Sequence, residues 1–505
     1  MVALVALSLV VSLTVPALAI RIIPGERSNS LDEVETPAKW GWSRRISGSA
    51  TPTVSSPDEH LVVDLPLLRQ EEDDPPMTEM FAGHLPASED GHKNLFYWLV
   101  SPPDDVDAMN SLDVPLVIWL NGGPGCSSME GFFLENGPVR FVSEESTGKW
   151  HLRPRPHSWH FAPAYVLYID QPVGTGLSFT TKGDYCRSDE EVNRDFVYFL
   201  EEFLLLHREK FLTYDDHGPP GLRRPLFFTG ESHAGHYIPS MIDHIISKNE
   251  PTRVSISVAG AAIGNGWMDP YHQYSGSEAA YGMGLLNIAQ KAHLDAEEVK
   301  CQAQLDAGKL DSSLCLNLID AIKNHSHGSR SATTPVSYDI SKYEMRGISS
   351  FPPGHNLIES YLGVRNGEMD VEYMDVLDAL HAGDSISVGH QHYQNCANPP
   401  YNALSHQDGK GVVQEVANIL DHPDKMRLLF FNGMNDLVCN HVGNEVTLQK
   451  LPWNRAEDWI LAPRSAWHIN QNEPPVGYIQ ELDNLIFLKL PNAGHSECCV
   501  LLPTV

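Results

Sequence analysis

The chain has 505 residues and a mass of 56.1 kDa, with 35 Lys+Arg against 65 Asp+Glu, a formal charge of −30 and a pI near 5.1. So acidic a balance excludes a dedicated nucleic-acid binder, whose footprint is a basic face; 42% hydrophobic and 9% aromatic residues exclude global disorder. The length allows about three domains of roughly 150 residues, or one large α/β unit with insertions.

Met1–Ile20 is apolar and carries Ala17 and Ala19 ahead of Ile20-Arg21, which predicts a signal peptide over 1–19. No Lys or Arg precedes the apolar run, so an uncleaved anchor is the competing reading. No later stretch reaches the ~18 apolar residues a second membrane helix needs. The mature chain is therefore expected in the secretory pathway, secreted or in a vacuolar or Golgi lumen. Its eight cysteines fit an oxidising compartment. None forms a CxxC pair or Cys/His cluster with zinc spacing, so no metal and no other cofactor is expected. Asn324-His325-Ser326 is a glycosylation sequon in a polar stretch that reads as a surface loop.

Residues 20–76 are polar and acidic, ending in Glu71-Glu72-Asp73-Asp74, and read as an N-terminal arm. From 77 to 505 the pattern is that of one α/β domain. Pro115–Leu120, Tyr165–Ile169, Pro225–Thr229, Ile256–Ile263, Arg427–Phe431 and Leu485–Leu490 are continuous apolar runs bounded by turn residues, the signature of strands buried on both faces. Helical patterns at Glu190–His207 and Gly235–Lys248 make βα units and a mostly parallel sheet. Between about 271 and 392 the pattern turns helical, polar and irregular, which predicts an inserted cap.

Chemistry concentrates after four of these strands. Gly230-Glu231-Ser232-His233-Ala234 sits between a strand and a helix, the context of a nucleophile elbow that exposes the Ser232 hydroxyl; Ala234 stands where a second Gly is usual. A serine needs a base, and the base an orienting carboxylate. Asp436 and His495 follow the strands Arg427–Phe431 and Leu485–Leu490 in the Ser–Asp–His order of α/β-hydrolases. With 24 His and 65 acidic residues, order and strand-end placement carry this choice rather than residue type. Asn121-Gly122-Gly123-Pro124-Gly125 follows another strand directly; its glycines let backbone N–H groups approach a ligand closely, as an oxyanion hole requires. It lacks the Lys-Ser/Thr of a phosphate loop.

Trp119–Ser128 (WLNGGPGCSS), Asp170–Gly176 (DQPVGTG), Gly230-Glu231-Ser232, Gly264-Asn265-Gly266 and Asp436–Asn440 (DLVCN) together resemble the serine carboxypeptidases. Phe81–Pro86 and Cys126–Gly131 (CSSMEG) resemble the pheromone-processing branch of that family. The resemblance runs from about Met80 to His495 and implies an α/β-hydrolase fold with a helical cap. It makes Ser232 the nucleophile, His495 the base, Asp436 its orienter, and the amides of Gly123 and His233 the oxyanion hole. The family usually has an aromatic at His233, a change a main-chain donor tolerates. Asn121, Glu135 and Glu231 map onto recognition of the substrate's terminal carboxylate. Two carboxyls can meet a third only by sharing protons, which implies an acidic optimum. Glu130 implies preference for C-terminal Lys or Arg; a solvated loop charge is its alternative. The resemblance also implies Cys126–Cys396 and Cys301–Cys315 bridges and an unpaired Cys439 near the site.

The expected substrate is a peptide or protein C-terminus, with no nucleic acid and no stable partner. After His495 the family continues with Met-Val-Pro and a helix, whereas this chain reads Ser496-Glu497-Cys498-Cys499 and ends at Val505. An acyltransferase or esterase on the same scaffold, and an inactive homologue, stand as alternatives.

Overall fold

The computed structural model describes residues 56–103, 114–215, 218–247, 252–327, 332–345, 354–363, 369–470 and 472–496. The expected signal peptide, most of the acidic arm and the divergent residues after Ser496 lie outside them. Ten strands form the spine of the main sheet: β1 (Met80–Pro86), β2 (Lys93–Val100), β3 (Leu116–Leu120), β4 (Tyr165–Ile169), β5 (Leu226–Glu231), β6 (Gly260–Gly264), β7 (Arg427–Gly433), β8 (Arg464–Trp467), β9 (Gly477–Leu482) and β10 (Leu485–Leu490). Their spatial order is β1-β2-β4-β3-β5-β6-β7-β10-β9-β8, with Phe179–Thr180 as a short extra strand on β2. The six from β4 to β10 are mutually parallel, and the two edges are antiparallel. The apolar runs predicted a mostly parallel sheet and the resemblance an α/β-hydrolase fold, and the structure has both.

Every residue of β3, β4, β5, β6 and β10 is buried, because both faces are covered. Alternation then divides the side chains. Leu99, Ile118, Leu167 and Phe228 face one layer with Phe196, Phe199, Ile238 and Val416 of the helices. Trp98, Val117, Val166 and Phe227 face the other with Phe132, Tyr361 and Leu377. Helix α1 (Asp189–Leu206) starts where Ser188 Oγ accepts from Glu191 N and three acids occupy the first turn, all favourable at a helix N-terminus. Helix α2 (Ala234–Ser247) follows β5 after two residues.

Two sequence expectations shift. The strand read from Ile256 begins only at Gly260; Ala259 N already donates to Leu226 O at 2.8 Å, so the lead-in is tied to β5 before the ladder starts. Residues 56–76, assigned to the arm, are packed: Val62 and Leu65 are buried, Leu61 bridges Phe81, and Leu68 bridges Leu152. The apolar spacing of Leu61, Val62, Leu65 and Leu68 outweighs the surrounding acids.

Between β6 and β7 the chain forms helices, among them α3 (Ile288–Asp306), α4 (Leu318–His327), α5 (His355–Leu362) and α6 (Tyr373–Ala379), and one hairpin, Thr333–Val336 with Asp339–Met345. The sequon Asn324 lies in α4 rather than in a loop, because Leu318 and Ile322, four apart, bury one helical face. Asn324 itself is exposed. No described helix is long and apolar enough to cross a membrane.

Candidate active site

Parallel register sets the carboxyl ends of the central strands at one rim. Leu120 pairs with Gly230, Glu231 with Gly264, Gly264 with Phe431, and Gly433 with Leu490. The loops that leave these ends therefore meet, as ligand-binding loops of open α/β sheets do.

Ser232 lies between the end of β5 and the start of α2 with φ of 61°. A non-glycine residue in that region is strained, and strain of about 1–3 kcal/mol persists only where surroundings hold it. Here Ser232 N donates to Gly264 O (3.2 Å), while Ser232 O accepts from Trp267 N (2.8 Å) and Gly235 N (2.9 Å). The departure from a second glycine is accommodated: Ala234 Cβ is small enough to sit against Gly230, whose own missing side chain leaves the room.

His495 Nδ1 lies 2.6 Å from Asp436 Oδ2, although the two are 59 residues apart. Asp436 is fully buried, and every oxygen is occupied. Oδ2 also accepts from Asn265 Nδ2 (2.9 Å) and Cys439 N (3.2 Å), and Oδ1 from Val438 N (2.8 Å). A carboxylate fixed in this way orients the imidazole through Nδ1. Cys439 is a free buried thiol in hydrogen-bond reach of Ser232; burial, with the Asp436 and Glu231 charges, pushes its pKa well up, so it stays protonated.

Gly123, at φ 111°, follows Gly122, which packs directly against the elbow. A Cβ on the adjacent Gly122 would overlap His233 N and Ser232 Cβ, so only glycine lets these segments touch. The His233 ring stacks on His236 at 5.1 Å and meets Tyr237 edge-on at 4.8 Å, filling the aromatic niche. Burial, then His236, lowers its pKa to about 3, so it is neutral.

Asn121, Glu135 and Glu231, expected to meet a terminal carboxylate, lie together. Asn121 Nδ2 donates to Glu231 Oε1 at 3.1 Å and reaches Glu135 Oε1 at 3.5 Å. Its Oδ1 is fixed by Trp119 Nε1 (2.7 Å) and Gly131 N (3.2 Å), and all three polar side chains are buried. Ser496 Oγ reaches Glu231 Oε1 at 3.4 Å. Glu130 stands beside the Cys126–Cys396 disulfide, with Oε2 3.5 Å from His355 Nε2. Both expected bridges, Cys126–Cys396 and Cys301–Cys315, are present.

Three residues without an assigned role in the sequence reading support these groups. Asn265 clamps Asp436 and also exchanges hydrogen bonds with Gly433, which its place in the Gly264-Asn265-Gly266 motif could have signalled. Asp170 accepts from Ser127 Oγ (2.6 Å), Ser128 N (2.9 Å) and Leu177 N (2.9 Å), holding the Asn121–Ser128 loop. Tyr338, at the turn of the cap hairpin, accepts from His495 N through its carbonyl (2.8 Å) and lays its ring 4.9 Å from the imidazole. No local pattern marks Tyr338.

Comparison with known proteins agrees with this geometry. The profile of the serine carboxypeptidases matches residues 70–500. The chain is 34% identical over 458 residues to the pheromone-processing carboxypeptidase KEX1 of Phytophthora infestans, covering 89% of this chain and 71% of that one. It is 33% identical over 454 residues to serine carboxypeptidase S10 family member 2 of Dictyostelium discoideum, covering 87% and 73%. The KEX1 of Paracoccidioides brasiliensis (strain Pb03) is 30% identical over 440 residues, 83% of this chain and 63% of the relative. The crystal structure of a prohormone-processing carboxypeptidase from Saccharomyces cerevisiae superposes with a TM-score of 0.68 at 25% identity, over 88% of this chain and 93% of that one. With the profile matching residues 70–500, a span that includes Ser232, Asp436 and His495, the chain belongs to the serine carboxypeptidase family.

Proposed function

We propose that this serine carboxypeptidase releases C-terminal Lys or Arg from peptides by an acyl-enzyme mechanism at acidic pH, within the secretory pathway. Ser232 attacks the last peptide carbonyl while His495 Nε2 takes its proton; the amides of Gly123 and His233 hold the oxyanion. His495 returns the proton to the leaving amine, and water then hydrolyses the ester by the same route. Asp436 keeps Nδ1–H directed at itself and stabilises the imidazolium that forms. Asn121, Glu135 and Glu231 receive the terminal carboxylate, and Glu130 receives the cationic side chain. The observation that carries this reading is the 2.6 Å Asp436–His495 contact beside the strained elbow.

Terminal-carboxylate binding requires protons shared between Glu135 and Glu231. As pH rises and the pair ionises, repulsion weakens binding, so kcat/KM falls from an acidic optimum. Blocked dipeptides differing only in the final residue, assayed from acidic to neutral pH, test the whole scheme. Lys and Arg are expected to leave faster than Leu, and Ser232→Ala to lose on the order of 10⁶-fold in kcat. Equal rates for Lys and Leu would remove the basic preference, and a kcat/KM still rising above neutral pH would remove the carboxyl-sharing account.

A further inference from the structure

Glu130 lies in unusual company for a side chain meant to hold a cation. Only 13% of it is exposed, and the acids facing it come from three directions: Glu135 from its own loop and helical turn, Asp170 from the end of β4, and Glu359 from α5. Tyr338 of the cap hairpin and Tyr393 before the disulfide complete the titratable surroundings. Burial first, and these acids second, push its pKa well above the usual carboxyl range. Its Oε1 is 3.7 Å from Cys396 Sγ, but a disulfide sulfur has no proton to donate. Left to these neighbours, Glu130 would stay protonated and neutral where the enzyme works, and a neutral acid attracts Lys no better than an amide does.

His355 is the basic side chain paired with it, Nε2 to Oε2 at 3.5 Å. It is the first residue of α5, after Gly354 in the left-handed region at φ 107°. Its carbonyl accepts from Asn395 Nδ2 at 2.8 Å, which ties it to the residue before Cys396. The side chain is 9% exposed, and burial lowers its pKa to about 4. Its place at a helix N-terminus, the positive end of the dipole, also disfavours the imidazolium. A neutral imidazole can still donate through Nε2–H, and a donor to the charged form of a carboxyl favours ionisation.

We propose that His355 is a positioning residue for substrate specificity, donating Nε2–H to Glu130 so that this carboxyl can ionise and receive a C-terminal Lys or Arg. This rests on the reading of Glu130 as the cation-binding residue. It makes basic preference a property of the pair, and lets preference rise with pH while carboxylate binding falls.

The test is the ratio of kcat/KM for blocked dipeptides ending in Lys and in Leu, measured across the acidic range in four proteins. In the wild type the ratio climbs with pH along a titration curve. His355→Phe, which keeps a ring but no donor, should move that curve up by about one pH unit and lower the ratio roughly tenfold on its acidic limb. His355→Gln, whose amide can still donate, should restore most of the ratio. Glu130→Gln should flatten the ratio at all pH values. If Glu130→Gln leaves the ratio unchanged, the reading of Glu130 itself fails. If Glu130→Gln flattens it while His355→Phe leaves the curve in place, or Phe and Gln shift it equally, the role of His355 is refuted.

Discussion

Replacing Asp170 by Asn should remove a specific slope from the protein's stability against pH. Asp170 is fully buried, and burial raises its pKa from 3.8 to about 6 despite the three hydrogen bonds it accepts. Because the folded-state value is raised, the contribution to stability is present in full below the unfolded pKa. It is lost as pH climbs through the folded value. A shift of about two units at ~1.36 kcal/mol each corresponds to about 3 kcal/mol lost between about pH 4 and about pH 7. Asn cannot titrate. It can still accept from Ser127 and Ser128, but its NH₂ would oppose Leu177 N–H, a pH-independent cost of about 1–3 kcal/mol. Urea unfolding of both proteins at closely spaced pH values gives the difference directly, and titrations common to both cancel. The variant should be the weaker protein near pH 4 and should gain on the wild type by about 3 kcal/mol on approaching neutrality. A wild-type-minus-variant difference that stays flat with pH would refute the account of Asp170.

Gly122→Ala places a methyl group against His233 N and Ser232 Cβ; displacing one oxyanion donor should cost on the order of 10²-fold in kcat, and an unchanged kcat would mean the two segments can separate freely. Asn265→Ala withdraws a donor from Asp436 and from the Gly433 carbonyl, so kcat should fall roughly 10- to 100-fold with little change in KM, a split that steady-state kinetics reads. Loss of Cys126–Cys396, which closes a span of 270 residues, should lower unfolding free energy by up to about 5 kcal/mol on the loop-entropy model; a double-Ala variant with the wild-type urea midpoint would exclude this.

The sheet was legible because β3 and β4 are apolar end to end and β5, β7 and β10 carry the apolar runs Leu226–Phe228, Leu428–Phe431 and Leu485–Leu488, a pattern that suits burial on both faces. Ser232, Asp436 and His495 were legible because each follows such a strand in an order the fold constrains. What stayed hidden depends on contacts across the chain. Asp170 matters through Ser127, Ser128 and Leu177, and Tyr338 through His495, far along the chain. The packed stretch 56–76 and the helical sequon were misjudged for a related reason. Local acidity and polarity dominated the reading, whereas a few spaced apolar side chains, Leu61, Val62 and Leu65 in one case and Leu318 and Ile322 in the other, decided the outcome.

β10 seats His495 by pairing in parallel with β7, and among the described residues it comes last in sequence of the main sheet's strands. On the proposed assignment, the nucleophile therefore emerges during synthesis long before its proton acceptor exists. On that assignment, a nascent chain that already carries Ser232 has no proton acceptor at the elbow until β10 docks on β7.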